Sequence, residues 1–242
     1  MSNGEKSVLE KCLALLVKIG MMVVDGVRDP AQVLRWLQVI VSREDFVSVL
    51  DTPPSAQINT TPADWRQEWQ KFYQEVFGLT TDLSDVELKD DPGGFGWAVF
   101  VAQGLTLNQA YAKCRDRFPC SSVYGDGLDK AVPQNDRTSV TSYTKRFRNR
   151  VEADEENKNL SANDLAKQKI QGNTLLERLL LGLWYHWRTG GGQLDLLNWA
   201  LCCGSRYRDG GAPCVGWGEG QFQVCRCLPG GASVDVRARS AV

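Results

Sequence analysis

From Ser205 to Val242 the chain carries no helical period. Val215 and Trp217 alternate with Cys214, Gly216 and Gly218. Across a turn, Phe222 and Val224 alternate with Gln221, Gln223, Cys225 and Cys227. A period of two places successive side chains on opposite faces of an extended strand. The segment is therefore expected to form a β-hairpin, with an apolar inner face of Val215, Trp217, Phe222 and Val224 and an oddly assorted outer face. Each inner side chain gains about 2 kcal/mol on burial, so the preceding chain must supply a core to cover them, and an all-helical fold is excluded. Arg226 falls on the inner parity, where it must weaken the strand or run its stem along the apolar face toward water.

The composition of this tail is as constraining as its period. Residues 205–242 contain no Asn, Lys, Thr, Ile or Met, although these five types occur 39 times in the first 204 residues. About seven are expected in a tail of this length from composition alone. The five share one property: all of their codons begin with adenine. Selection for small residues does not single out that set, whereas loss of adenine at the first codon position does. Eleven of the 23 Gly lie from Gly190 onward, and five of the 8 Cys lie between Cys202 and Cys227.

Upstream the chain is ordinary. Val8, Leu9, Cys12, Leu13, Leu16, Ile19 and Val23 recur at helical spacing. Asp29-Pro30 and Thr61-Pro62-Ala63-Asp64 are helix starts, a cap followed by Pro at the first helical position. The second start leads into Trp65, Trp69, Phe72, Tyr73 and Phe77, whose spacing of three and four marks a core stripe. Residues 79–95, rich in Asp, Thr and Gly, form a loop and the best boundary. This gives a helical amino-terminal domain over 1–78 and a second domain over 79–242. In the second, Trp97–Ala102 is expected as a buried strand, Leu107–Phe118 and Thr174–Trp187 as helices, and Thr141–Val151 as an exposed strand. Ser161-x-x-Asp164 has the form of a capping box, and the charge run Glu152–Asn159 is expected as a solvated face or a loop.

The frame Gly204-Ser205-Arg206-x-x-Asp209-Gly210, Pro213-x-Val215-x-Trp217, Phe222-x-Val224, Pro229 and Arg237-Ala238-Arg239-Ser240-Ala241-Val242 resembles the variable proteins of diversity-generating retroelements. So do Gln103-Gly104-Leu105-Thr106-x-Asn108-Gln109, Arg150-Val151-Glu152-Ala153-Asp154-Glu155-Glu156 and Thr174-Leu175-Leu176-Glu177-Arg178, and the resemblance spans residues 65–242. In such systems an error-prone reverse transcriptase copies a template, substitutes at its adenines and replaces the end of the target gene. It acts on the gene and not on the protein. The resemblance implies an α+β fold: a helical amino-terminal region followed by a C-type-lectin-type domain with two helices and a twisted antiparallel sheet. It also implies a variable region over about 205–242 that presents diversified side chains to a protein or other surface ligand. The expected ligand-binding residues are Tyr207, Arg208, Gly211, Cys214, Gly216, Gly218, Glu219, Gln223, Cys225, Cys227, Leu228, Gly230, Gly231, Ser233 and Asp235. Tyr207 and Arg208 are the expected anchors, because Tyr and Arg dominate binding hot spots. The many Gly predict a flat surface and weak binding.

Other readings carry less. A net charge of −1 argues against an electrostatic nucleic-acid binder. The single His, His186, is read as a helix-terminus residue favoured by the helix dipole, and no nucleophile and base are paired, so no catalytic residue or cofactor is expected. Cys202-Cys203, Cys214, Cys225 and Cys227 lack the C-x₂₋₄-C pairs of structural zinc sites; a disulfide between added cysteines stays open. Gly190–Gly192 and Gly216–Gly220 lack the Lys-Ser/Thr of a phosphate loop. An enzyme or metal-binding protein related to the formylglycine-generating fold, or a helical adaptor module, are the alternatives. The longest apolar run, Cys12–Val24, contains Lys18 and is too short to span a membrane, and it lacks a cleavage signature. A cytoplasmic location is the default expectation.

Overall fold

The computed structural model describes residues 13, 15–22, 24–25, 62–124, 127–218 and 220–242. Two compact units divide the chain, Met1–Asp51 and Thr52–Val242. In the first, residues 15–22 are helical, as the apolar period requires. The helix expected from Asp29-Pro30 lies outside the described residues. No helix among the described residues is long and apolar enough to cross a membrane.

The second unit opens with α1 (Pro62–Phe72), which runs into a π-helical turn (Tyr73–Phe77) and stops at Gly78, where φ is +69°. Here the expected boundary at 78/79 moves. The aromatic stripe of α1 is core, but it is the core of the second unit. The Trp69 ring stacks on Trp184 at 6.0 Å. The indole N–H groups of Trp65 and Trp69 both donate to the Ala98 carbonyl, at 2.9 and 3.0 Å. The Tyr73 hydroxyl donates to the Phe100 carbonyl and accepts from the Ala102 N–H. Four large aromatics need a large apolar partner surface, and the segment 79–95 is a loop bridging them to it rather than a linker between domains.

That partner surface is β1 (Trp97–Val101), buried along its whole length, and the later helices. After it come α2 (Leu107–Arg115), β2 (Cys120–Ser122), α3 (Leu128–Ala131), β3 (Gln134–Asn135) and β4 (Tyr143–Phe147), which pairs antiparallel with β1. A 3₁₀ turn (Glu155–Asn157) precedes α4 (Ala162–Lys167) and α5 (Leu175–Thr189). The capping box at Ser161 and Asp164 forms as expected, and a second one forms at Thr174 and Glu177. Helix α5 is buried from Leu175 through Tyr185 and ends at Gly190 in the left-handed conformation, the usual glycine solution at a helix C-terminus.

Strand β5 (Trp199–Leu201) precedes the tail, which supplies β6 (Ser205–Arg206), β7 (Ala212–Gly218), β8 (Gln221–Cys227) and β9 (Val236–Ala238). The hairpin β7–β8 forms in the anticipated register, Val215 opposite Val224 and Trp217 opposite Phe222. The main sheet has the order β2-β8-β7-β5-β9. It is mixed rather than antiparallel, because β2 pairs parallel with β8 and β5 parallel with β9. Neither parallel pair is consecutive in the chain, and the long intervening segments supply the crossovers that parallel pairing needs. The mixed α+β class expected from the sequence is therefore correct, with this change to the sheet.

The charge run Glu152–Asn159 is a loop with one 3₁₀ turn, as expected, and it exposes Glu155, Glu156, Lys158 and Asn159. It is only partly solvated, because Asp154 and Asn157 are buried. The Asp154 carboxylate accepts from the Ser240 N–H at 2.8 Å, and the Asn157 amide donates to the Ala238 carbonyl at 3.0 Å. The Glu152 carboxylate accepts the N–H groups of Leu196, Leu197 and Asn198. These polar groups serve backbone that no ladder satisfies, which buried main chain demands.

Candidate functional site

The two faces of the β7–β8 hairpin are both covered, and this changes where a ligand could sit. The inner face packs into the main core through Val215, Phe222 and Val224, with Trp217 half-buried against it. Phe118 meets Trp217 and Phe222 at ring distances of 5.6 Å each and the His186 ring at 5.2 Å. The outer face is also a core. Cys214 and Ala212 bury against Ala162 and Leu165 of α4 and against Leu201, Cys203 and Ala238. Cys225 and Cys227 pack on the rim of this second cluster.

Several expected ligand-binding residues are consequently inside. Tyr207 is 1% exposed and Cys214 3%. Gly211 and Gly216 are buried. A Cβ at Gly216 would lie 3.0 Å from the Trp199 ring, so the indole occupies the space that a varied side chain would need. Tyr207 is buried by its neighbours and leaves little of its ring to the surface. Its hydroxyl donates to the Cys225 carbonyl at 3.2 Å, and burial pushes its phenol well above the usual range. Sequence alternation missed this, because small residues such as Cys, Gly and Ala do not read as an apolar face even where α4 covers them.

What the tail leaves exposed falls in two places. The loop between β8 and β9 exposes Leu228, Gly230, Gly231, Ser233 and Asp235, and it is held to α4 through the Asn163 N–H and the Pro229 carbonyl. Gly218, Gln223, Cys225 and Cys227 are intermediate in exposure, and Glu219 lies outside the described residues.

The second place is the turn between β6 and β7. Arg208 and Asp209 are exposed there, beside a shallow pocket of about 340 Å³ lined by Tyr124, Gly127, Lys130, Ala131, Tyr207, Arg208 and Asp209. The turn is tightly specified. The Tyr207 N–H donates to the Gly211 carbonyl, the Gly210 N–H to the Tyr207 carbonyl, and Arg208 is tied through its N–H to Ala131 of α3. Gly210 has φ +83°, a conformation that glycine adopts without a Cβ clash. The Asp209 carboxylate accepts from the Gly211 N–H at 3.0 Å and from Arg226 at 2.7 Å, which holds it below the ordinary carboxylate range. This is how the inner-parity Arg226 is accommodated: its stem follows the sheet and its head pairs with Asp209 at the rim. The Tyr124 and Tyr207 rings approach to 4.7 Å and form the pocket wall. Lys130 and Arg208 bring two cations to its lining, beside the Asp209 carboxylate that Arg226 already pairs. Tyr124 and Lys130 lie outside the tail and carried no sequence signal for a site.

The geometry suits binding: an aromatic wall, two cations and a rigid turn. His186 sits in the last turn of α5, the helix terminus expected for it. Burial lowers its pKa, so the neutral ring is favoured there. Its Nδ1 is 3.0 Å from the Gln193 amide. Among the described residues no group of three or more His, Cys, Asp or Glu is placed to hold a metal ion. No protein-family model matches the chain, and no curated protein or solved structure is significantly similar to it.

Proposed function

We propose that this chain is a ligand-binding variable protein of the diversity-generating retroelement type, built on a C-type-lectin-type domain. The observation that carries the reading is the absence of Asn, Lys, Thr, Ile and Met from residue 205 onward, in a segment whose frame residues match such proteins. Two helices, α2 and α5, packed with a sheet that has the tail hairpin in its interior support the fold assignment. The buried inner face supports the idea of a scaffold that tolerates change elsewhere.

The binding surface in this reading is smaller than the varied segment. It comprises Arg208 with the Tyr124–Tyr207–Lys130 pocket and the exposed loop 228–235. Arg208 is the contact anchor, and Tyr207 holds the pocket wall. The ligand is a protein or other surface with an acidic group for the two cations.

The test is genetic and direct. Sequencing the DNA around the gene should find a near-copy of its 3′ end, with adenines at the codons for the varied positions, beside a reverse transcriptase gene. Copies of the gene from a population should differ mainly at those codons. A single invariant gene with no such near-copy overturns the proposal. For any ligand then captured, Arg208→Ala should weaken binding at least about fivefold, the loss of roughly 1 kcal/mol typical of a contact residue, with stability unchanged.

A further inference from the structure

Three of the chain's 8 cysteines meet on one face of the β7–β8 hairpin. The register sets Cys214 opposite Cys225 and Ala212 opposite Cys227, so Cys214 and Cys227 are diagonal neighbours. Diagonal neighbours on one face of an antiparallel pair are within reach of each other's side chains. Here the two Sγ atoms stand 2.7 Å apart, less than an ångström beyond the roughly 2.05 Å of a disulfide bond. Cys225, although directly opposite, turns its sulfur to the Gln223 side-chain oxygen at 3.8 Å.

The surroundings give the two sulfurs different roles. Cys214 is buried, and the contact with Cys227, with burial after it, raises its pKa. Cys227 is half-buried, next in the chain to Arg226. The thiolate, not the thiol, is the attacking species. Cys227 is the sulfur that an incoming disulfide can reach, so it is the accessible nucleophile and Cys214 the resolving thiol behind it.

We propose that Cys214 and Cys227 form a reversible disulfide by exchange with a small-molecule disulfide of the glutathione class. The Cys227 thiolate attacks one sulfur of oxidised glutathione. A mixed disulfide forms and one glutathione leaves as thiolate, which takes up the proton that Cys227 gave to solvent. Cys214 then loses its proton and attacks the Cys227 sulfur. The mixed disulfide breaks, and the second glutathione leaves and is protonated. Two protein thiols are oxidised and one glutathione disulfide is reduced to two thiols. The bond closes the hairpin at the end from which loop 228–235 departs, so oxidation fixes the base of that loop.

The test uses the whole protein, folded and incubated with oxidised glutathione, then alkylated and digested with trypsin without reduction. Cleavage after Arg208, Arg226 and Arg237 separates the cysteines, leaving Cys214 and Cys225 in peptide 209–226 and Cys227 in peptide 227–237. The expected result is a cross-linked species of these two peptides that dithiothreitol separates. Cys225→Ser should retain it, and Cys227→Ser and Cys214→Ser should lose it. Cys214→Ala serves if the serine variant fails to fold. A disulfide confined to peptide 209–226 overturns the proposal. So does a glutathione adduct that persists on Cys227 without a cross-link, or full alkylation of both thiols.

Discussion

Asp195 sits 0% exposed between two arginines that are each 1% exposed. One carboxylate oxygen takes the Arg178 guanidinium at 2.8 Å, and the other takes Arg239 at 2.7 Å. Neutralising the acid leaves both guanidiniums buried with less than they need. Arg239 keeps the Arg150 and Val151 carbonyls at 2.8 and 2.6 Å. Arg178 keeps only a 3.4 Å contact with the Leu194 carbonyl among its hydrogen bonds. Asp195→Asn is the informative change, because Asp195 has φ +56°, a conformation that Asn shares and Ala does not favour. It preserves shape and backbone, removes the charge and turns one of the two acceptor oxygens into a donor, so only one arginine keeps its acceptor. Breaking a buried pair of this kind costs about 3–5 kcal/mol, a large share of the roughly 5–15 kcal/mol that holds a typical protein folded. The midpoint of thermal unfolding should fall by about 6–20 °C, at roughly 2–4 °C per kcal/mol for a chain of this size. Urea unfolding should show a lower midpoint with an unchanged slope. The deficit should persist in high salt, since burial limits screening. A loss below about 1 kcal/mol, the range of an exposed pair, would refute the idea that this trio holds the tail in place.

Other changes test other parts of the fold. Gly216→Tyr should destabilise by about 1–3 kcal/mol through overpacking, because the Trp199 ring already lies 3.0 Å from where a Cβ would go; unchanged stability in urea would show that Trp199 moves aside freely. Trp69→Ala should cost about 3–5 kcal/mol and lower the unfolding midpoint of the whole second unit, whereas a separate early transition would return α1 to the amino-terminal unit. His186 has a lowered pKa from burial, so the unfolded chain binds its proton more tightly than the native one. Its contribution is complete above its ordinary value of about 6.5 and is lost as pH falls through that value toward the native pKa. Wild-type stability should therefore decline between about pH 7 and 5.5, above the carboxylate range, and the same decline in His186→Gln would disprove the assignment.

How much of this was written in the sequence depends on the range of the interaction. The apolar period of α5, the capping box at Ser161 and the parity of the hairpin are local, and each was legible. The partner of Trp69 was not, because Trp184 stands 115 positions away and nothing in either segment names the other. The covering of the outer hairpin face was hidden for a different reason. Helix α4 contributes only Ala162 and Leu165, too little to register as an amphipathic stripe. Asp154 and Asn157 read as solvated because charge usually is; their burial follows from backbone groups near Ser240 that lack other partners. Of the two expected anchors, Arg208 lies exposed and Tyr207 buried. Tyr124 and Lys130, which line the same pocket, gave no signal, since the signal used was confined to the tail.

Arg239 comes later in the chain than every element it closes upon: it reaches back to Arg150, Val151 and Asp195. During synthesis the second unit cannot complete its core until residues through 239 have left the ribosome. A frameshift anywhere in the segment before it deletes this residue and leaves the Asp195 site without its second cation. The last-made cation is thus a check on everything translated before it: a chain misread upstream of Arg239 lacks the contacts to Arg150, Val151 and Asp195, and its second unit opens more readily to proteolysis.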